Sequence, residues 1–153
     1  MIKLVVLIMG VGLVLFQVIP VSCTRSDNSM INEKVSSQLL NQVTLRKAQI
    51  ADPASDRLTM MKGLGMNVDN LGIQRIFIHL NQALNPAQIN ELEAMGITLY
   101  LNSWIPPVGS HPTGFIVADM PIDKLAKLTR MDYVVKLETA EQLLEPQNQA
   151  QPQ

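Results

Sequence analysis

The order of the sequence patterns between residues 73 and 139 restricts the fold more than any other feature of the chain. In the run IQRIFIHLN the residues fall alternately on two sides, with Ile76 and Ile78 on one side and Phe77 and His79 on the other. Such a period of two is typical of a β-strand. Three later runs, ITLYLNSW, GFIVADM and DYVVKLET, are predicted to be strands as well.

Helical patterns separate the first strand from the second and the third strand from the fourth. Asn85 is a candidate N-cap for a helix that begins at Pro86, and Gln88 completes a capping box. Gly96 ends this helix, and Pro121 leads into the second one. The order strand, helix, strand, strand, helix, strand predicts an α+β fold of the ferredoxin-like type. In that fold a four-stranded antiparallel sheet carries both helices on one face.

The N-terminus has the features of a secretory signal peptide. Lys3 precedes the apolar run LVVLIMGVGLVLFQVI, and small residues follow Pro20. The run is shorter than the roughly 20 residues that a membrane-spanning helix needs. We therefore predict that residues 1–23 direct export, and that the protein is secreted or associated with the cell envelope.

Cys23, the only cysteine of the chain, lies directly after the apolar run. A single cysteine excludes a disulfide within the chain and argues against a thiolate metal site. The position of Cys23 makes it a candidate for lipidation. The alternative is cleavage beside an unmodified Cys23, which is favoured because Pro20 stands where a lipoprotein signal usually has leucine. Contact with a membrane is expected only through the signal or such a lipid anchor.

Two further segments flank the predicted sheet domain, which spans residues 73–141. Residues 24–72 are interpreted as an N-terminal arm with an amphipathic helix over about residues 31–50, because apolar residues recur there at three- and four-residue steps. Arg46 lies near the end of that helix, where a cation suits the helix dipole. Residues 142–153 are rich in Gln and Pro and are predicted to form a flexible tail.

Charge and side-chain chemistry limit the functions that the chain can have. The net charge is −1, from 12 basic and 13 acidic residues, so no nucleic-acid partner is expected. An RNA-recognition sheet would also place aromatic residues at Phe77 and Phe115, but the sequence lacks the basic stripe and the dense aromatic motif of that class. The two imidazoles, His79 and His111, have no serine, cysteine or carboxylate constrained near them by sequence. We therefore expect no enzymatic activity, no cofactor and no metal site.

The loop NSWIPPVGSHPTG between the second and third strands contains Trp104, the only tryptophan. Tryptophan is a favoured anchor residue at protein interfaces, so Trp104 is a candidate contact to a partner. The alternative is that Trp104 folds over the edge of the sheet and stiffens the turn.

The sheet domain resembles the propeptide-like inhibitor domains of subtilisin-like serine proteases. The likeness lies in the runs IFIHLNQALNPAQINELEAMGITLY and GFIVADMPIDKLAKLTRMDYVVKLE and covers about residues 73–144. It consists of an apolar first strand, a helix that ends at Gly96, a proline at position 121 before DKLAKL, and a Val-Val strand close behind. Such domains occur attached to proteases and as separate inhibitors.

The resemblance implies a binding protein that inhibits a subtilisin-like serine protease or assists its folding. In such domains the helix-free face of the sheet docks on two surface helices of the protease, and the segment after the last strand runs through the active-site cleft. On matching positions the docking face would consist of Phe77, His79, Tyr100, Phe115, Val117, Val134 and Lys136. The cleft segment would include Glu141, Leu143, Leu144 and Glu145.

Two alternatives concern the partner. Where a zymogen would continue into a catalytic domain, this chain runs into LLEPQNQAQPQ, so we expect it to act on a protease in trans or to be a remnant that no longer inhibits. The other alternative is an envelope-associated protein-binding or adhesion module on the same fold, without a protease target.

Overall fold

The four predicted strands pair into one sheet. The computed structural model describes residue 31 and residues 33–141, in which the elements are α1 (Ser37–Ala51), α2 (Ser55–Gly63), β1 (Ile73–Leu80), α3 (Pro86–Ala94), β2 (Thr98–Ile105), β3 (Gly114–Pro121), a 3₁₀ turn (Ile122–Lys124), α4 (Leu125–Leu128) and β4 (Val134–Thr139). None of the helices in this part of the chain is long and apolar enough to cross a membrane. Outside the described residues lie the predicted signal peptide with Cys23 and the predicted tail with Leu143, Leu144 and Glu145.

The strands lie side by side in the order β2-β3-β1-β4, and each pair of neighbours is antiparallel. β1 and β3 form the centre and pair over their full length, from Ile73 opposite Pro121 to Leu80 opposite Gly114. The predicted α+β fold with a four-stranded antiparallel sheet is therefore confirmed.

One hydrophobic core lies between the sheet and the helices. Leu39 of α1, Leu92 of α3 and Leu128 of α4 are fully buried in it. Burial of one such side chain stabilises the fold by about 2 kcal/mol. The sheet contributes alternate residues of its central strands, namely Ile76, Ile78 and Leu80 of β1 and Ile116, Ala118 and Met120 of β3. Three helices, α1 among them, therefore contribute side chains to the same core as the sheet.

Helix α1 begins at Ser37, and the helical residues Ile31, Glu33 and Lys34 precede it as a separate turn. Ser36 is its N-cap, and the Ser36 hydroxyl oxygen accepts a hydrogen bond from the first turn of the helix. Val35 forms a parallel bridge with Leu137 of β4, and the Ser36 N–H donates to the Leu137 carbonyl oxygen at 2.9 Å. The backbone at these residues pairs with the sheet, so a helix does not continue through them.

Arg46 points into the protein, and the prediction that it serves the helix dipole is wrong. Its side chain is completely buried, and the last turn of α1 contains no basic residue. Inside the protein, the Arg46 guanidinium donates hydrogen bonds to the side chains of Gln74 in β1 and Glu141 after β4. These hydrogen bonds stabilise the charged side chain more than the weak electrostatic attraction between a cation and a helix C-terminus would.

The N-cap, the capping box and the terminal glycine that the sequence predicts for α3 are confirmed. The Asn85 side-chain oxygen accepts from the Gln88 N–H at 2.9 Å, and the Gln88 side-chain oxygen accepts from the Asn85 N–H at 3.0 Å. Pro86 is the first residue of the helix, and Gly96 follows its end with a φ of 81°. This left-handed conformation is one that glycine adopts without strain.

Trp104 packs on the corner between β2 and β3. Pairing of these strands is interrupted between Tyr100 and Ile105, and the half-buried Trp104 ring lies against Gly114. A Cβ atom at position 114 would overlap both the Trp104 ring and the Ile105 carbonyl oxygen. The close approach of backbone and ring therefore requires glycine at this position.

We expect the Gly114→Ala variant to lose about 2 kcal/mol of unfolding free energy, because the added methyl group overpacks this corner. Urea denaturation measures the loss. The control is Gly63→Ala at the end of α2, where a Cβ atom meets nothing within 4 Å. A Gly114→Ala variant as stable as the control would contradict the close approach.

Candidate functional site

The face of the sheet opposite the core is lined by residues that keep part of their side chains exposed. Cross-strand pairing places them on one side, since Phe77 lies opposite Val117 and Glu138, and Arg75 lies opposite Asp119. We call this side the open face. It includes Arg75, Phe77, His79, Tyr100, Phe115, Val117, Asp119, Lys136 and Glu138.

Two aromatic rings form the centre of the open face. The ring centroids of Phe77 and Phe115 are 5.1 Å apart, and the ring planes meet at 75°. This edge-to-face geometry is the favourable one for two aromatic rings. Both side chains are half-buried, as is Val117, which pairs with Phe77. These three residues, the aromatic patch, leave apolar surface in contact with solvent.

An ion pair lies at the end of the open face where β1 begins. Arg75 Nε donates to Asp119 Oδ1 at 2.7 Å, and Arg75 Nη2 donates to Asp119 Oδ2 at 3.0 Å. The Tyr100 hydroxyl donates to the same Asp119 Oδ2 at 2.7 Å. The hydrogen bond from Arg75, assisted by that from Tyr100, holds the pKa of Asp119 below its ordinary value. The Asp119 carboxylate therefore stays ionised.

A second charged cluster lies at the other end of β1. His79 Nε2 is 2.9 Å from Glu138 Oε2, and Lys136 Nζ is 2.6 Å from Glu138 Oε1. The hydrogen bond from Lys136, followed by that from His79, holds the pKa of Glu138 below its ordinary value. The aromatic patch is thus bounded by charged side chains at both ends.

Six of the seven predicted docking residues lie on the open face: Phe77, His79, Tyr100, Phe115, Val117 and Lys136. The prediction for Val134 is wrong, because its side chain is completely buried in the core. A β-bulge in β4 is the reason. His79 pairs with Lys136, but Leu80 pairs with Val134, so Val135 is an extra residue. The extra residue shifts the alternation by one and turns Val134 away from the open face.

Two other residues predicted to contact a partner, Trp104 and Glu141, instead make contacts within the protein. Trp104 lies over Gly114, as expected if it covers the edge of the sheet rather than anchoring a partner. The Glu141 side chain is 8% exposed, and its Oε1 accepts a hydrogen bond from Arg46 Nη2 at 2.5 Å. Glu141 therefore does not present its carboxylate to a partner. The other predicted cleft residues lie outside the described part of the chain.

Asp119 and Glu138 belong to the open face although they are not among the predicted site residues. A signal for their side of the sheet is present in the sequence, because each lies two residues after a residue predicted for that face, Val117 and Lys136 respectively. The sequence does not indicate which side chains these two carboxylates bind. Arg75 and Asp119 are 44 positions apart in the chain, and only the register between their strands brings the two together.

A cavity of about 250 Å³ extends the open face beneath the loop between β2 and β3. Its walls include the exposed apolar residues Ile105 and Val108. The other lining residues are His79, Pro106, His111, Thr113 and Phe115. Among the residues that the structure describes, no three His, Cys, Asp or Glu side chains are grouped so that they could hold a metal ion. The cavity offers mainly apolar contact beside the aromatic patch.

Comparisons with protein-family models, with curated proteins and with solved structures found no match to this chain. The resemblance to propeptide-like domains therefore depends on the sequence pattern.

We expect the Asp119→Asn variant to lose about 1 kcal/mol of unfolding free energy at pH 7, because a carboxylate paired with Arg75 becomes a neutral amide. The pKa of Asp119 is lower in the folded chain than its ordinary value of 3.8. Its contribution is therefore complete well above pH 3.8 and is lost as the pH falls through the folded-state pKa.

Urea denaturation of wild type and variant at a series of pH values measures this difference. It should shrink below pH 3.8, where the wild-type carboxylate takes up a proton. Glu93→Gln, at an exposed position of α3, serves as the control. A difference that stays constant down to the most acidic pH tested would contradict the role of the ionised Asp119.

Proposed function

We propose that this chain is an exported propeptide-like protein that binds a subtilisin-like serine protease and inhibits it or assists its folding. Binding uses the open face and the segment that follows β4. The observation that carries the proposal is the aromatic patch, in which Phe77 and Phe115 are half-buried and keep part of their surface exposed at the centre of the face opposite the core.

The strand order supports the fold that this function requires. In the ferredoxin-like fold two strand-helix-strand units interleave, which places the first and third strands in the centre of the sheet. The order β2-β3-β1-β4 agrees with this arrangement, and residues of α3 and α4 share one core. The proposal accordingly includes a ferredoxin-like domain over residues 73–141, with one face of its sheet available for docking.

The composition of the open face also supports binding to a protein. Interfaces combine an apolar centre with a polar margin, and aromatic residues at the centre contribute most of the affinity. Here the aromatic patch lies between two clusters in which opposite charges already bind each other, Arg75 with Asp119 and Lys136 with Glu138. Docking of a partner would therefore bury the patch without leaving an unpaired charge at its margin.

The electrostatics of the face favour binding over catalysis. A general acid or base that works near neutral pH needs a pKa close to that pH. The pKa values of Asp119 and Glu138 are instead held below their ordinary values, by Arg75 and by Lys136 respectively. These carboxylates are stable partners of cations and poor proton carriers at neutral pH.

The second part of the proposed interaction is recognition of an extended peptide. Such recognition takes its affinity from main-chain hydrogen bonds and its selectivity from side-chain pockets. The segment with Leu143, Leu144 and Glu145 is proposed to enter the protease cleft in this way. Export, which residues 1–23 are proposed to direct, would bring the protein to the compartment where secreted proteases act.

Titration against a set of purified subtilisin-like proteases tests the proposal. Residues 24–153 are added in increasing amounts, and hydrolysis of a small peptide substrate is followed. We expect inhibition at one molecule per protease molecule with slow release. No effect on any of the proteases at micromolar concentration, either on activity or on refolding yield, would refute the proposal and favour the adhesion module.

Substitution in the aromatic patch tests the docking face. We expect Phe115→Ser to weaken binding about 30-fold, the equivalent of roughly 2 kcal/mol for a central aromatic residue. Ile50→Ser is the matched control, because Ile50 is an exposed apolar residue on α1, in the helical layer. Circular dichroism verifies that both variants fold. Equal affinities of the two folded variants would show that the patch does not contact the protease.

A further inference from the structure

A cluster of polar side chains is buried between α1 and the end of β4. Its centre is Arg46, whose side chain is completely buried. Arg46 Nε donates to Gln74 Oε1 at 2.8 Å, and Arg46 Nη1 donates to the Asn70 carbonyl oxygen at 3.2 Å. Arg46 Nη2 donates to Glu141 Oε1 at 2.5 Å. The guanidinium thus connects α1 both to residues 70–74, around the start of β1, and to Glu141 after β4.

Neighbouring hydrogen bonds hold the backbone after β4 in place. The Thr139 hydroxyl donates to Gln42 Oε1 at 2.5 Å and accepts from the Glu141 N–H at 3.1 Å. The Ala140 N–H donates to the Arg75 carbonyl oxygen at 3.0 Å. The place where the chain leaves the sheet is therefore set by contacts to α1 and to β1 together.

The ion pair between Arg46 and Glu141 resists separation because both side chains are buried, at 0% and 8% exposure. A buried guanidinium that loses its carboxylate keeps its desolvation penalty without compensation. Glu141 therefore does not move into a protease cleft while the fold is intact. A segment offered to a partner begins after Glu141, and its starting point is fixed.

We propose that Arg46 is a positioning residue for protease binding, because through its ion pair with Glu141 it fixes the point at which the chain leaves the sheet. This inference rests on the proposed function, since it concerns the segment after β4. A fixed exit reduces the conformational entropy that the following residues lose on binding. It also makes α1 part of the binding unit, although α1 lies outside residues 73–144, which carry the resemblance.

Two measurements distinguish binding of the segment after β4 in the protease cleft from docking of the open face on the protease surface. The full chain is titrated against a protease that the wild type inhibits, and the inhibition constant is measured with a peptide substrate. The same protease, with its catalytic serine blocked by a covalent sulfonyl reagent, reports docking alone by calorimetry. We expect Glu141→Ala to raise the inhibition constant at least about tenfold and to change the Kd for the blocked protease less than about threefold.

Two further variants complete the experiment. Glu141→Gln keeps an acceptor oxygen for Arg46 and should lose less inhibition than Glu141→Ala. It also replaces the alanine variant if thermal unfolding shows that the latter does not fold. Glu93→Ala is the matched control on the exposed side of α3 and should behave as the wild type.

The outcomes distinguish this inference from the proposed function. If Glu141→Ala inhibits as well as the wild type, or loses inhibition and docking to the same extent, Arg46 has no positioning role and the proposed function stands. If the wild type neither inhibits nor docks on any subtilisin-like protease, the proposed function is wrong, and this inference with it.

Discussion

Each central strand, β1 and β3, has one side buried against the helices and one side facing outward, and a shift of either strand by one residue would exchange the two sides. A shift of β1 would bring Arg75 into the core and expose Ile76, and a shift of β3 would do the same to Asp119 and Ala118. The cost of burying a charged group without a suitable partner is several kcal/mol. The register of the central strands therefore determines both which residues form the apolar core and which residues lie on the open face.

Two of the arginine-carboxylate pairs among the described residues, Arg75 with Asp119 and Arg46 with Glu141, have different roles because they differ in burial. The pair between Arg75 and Asp119 lies at the surface, where an ion pair contributes about 1 kcal/mol or less. The pair between Arg46 and Glu141 is buried, and separating it would cost about 3–5 kcal/mol because a charge would be left uncompensated. The first pair borders the open face, whereas the second holds Glu141 at the point where the chain leaves the sheet.

The surface available to a partner combines apolar contact with fixed charge. The aromatic patch and the apolar cavity beside it lie next to each other, since Phe115 belongs to both. The clusters around Asp119 and Glu138 flank this apolar region. Charges at the margin of an interface chiefly influence the rate of association and the choice of partner, while the buried centre contributes affinity. A face built in this way suits a partner that itself presents an apolar surface with a polar margin.

Local patterns in the sequence determined the elements. The alternation in β1, the capping box of Asn85 and Gln88 and the glycine at position 96 each act within a few residues of the chain, so they predicted a strand and a helix with its two ends. Alternation also placed most of the predicted docking residues on one face. Each of these patterns is formed by residues that are close together in the sequence.

Only the tertiary structure decided how distant segments meet. The bulge that turns Val134 into the core depends on how β4 pairs with β1, a strand more than 50 residues earlier in the chain. The ion pair between Arg46 and Glu141 joins residues 95 positions apart, so an arginine that suits a helix end in sequence became the buried partner of a carboxylate. The sequence determined which residues form strands and helices because those preferences are local. The tertiary structure decided their partners, because register and burial depend on contacts across the whole domain.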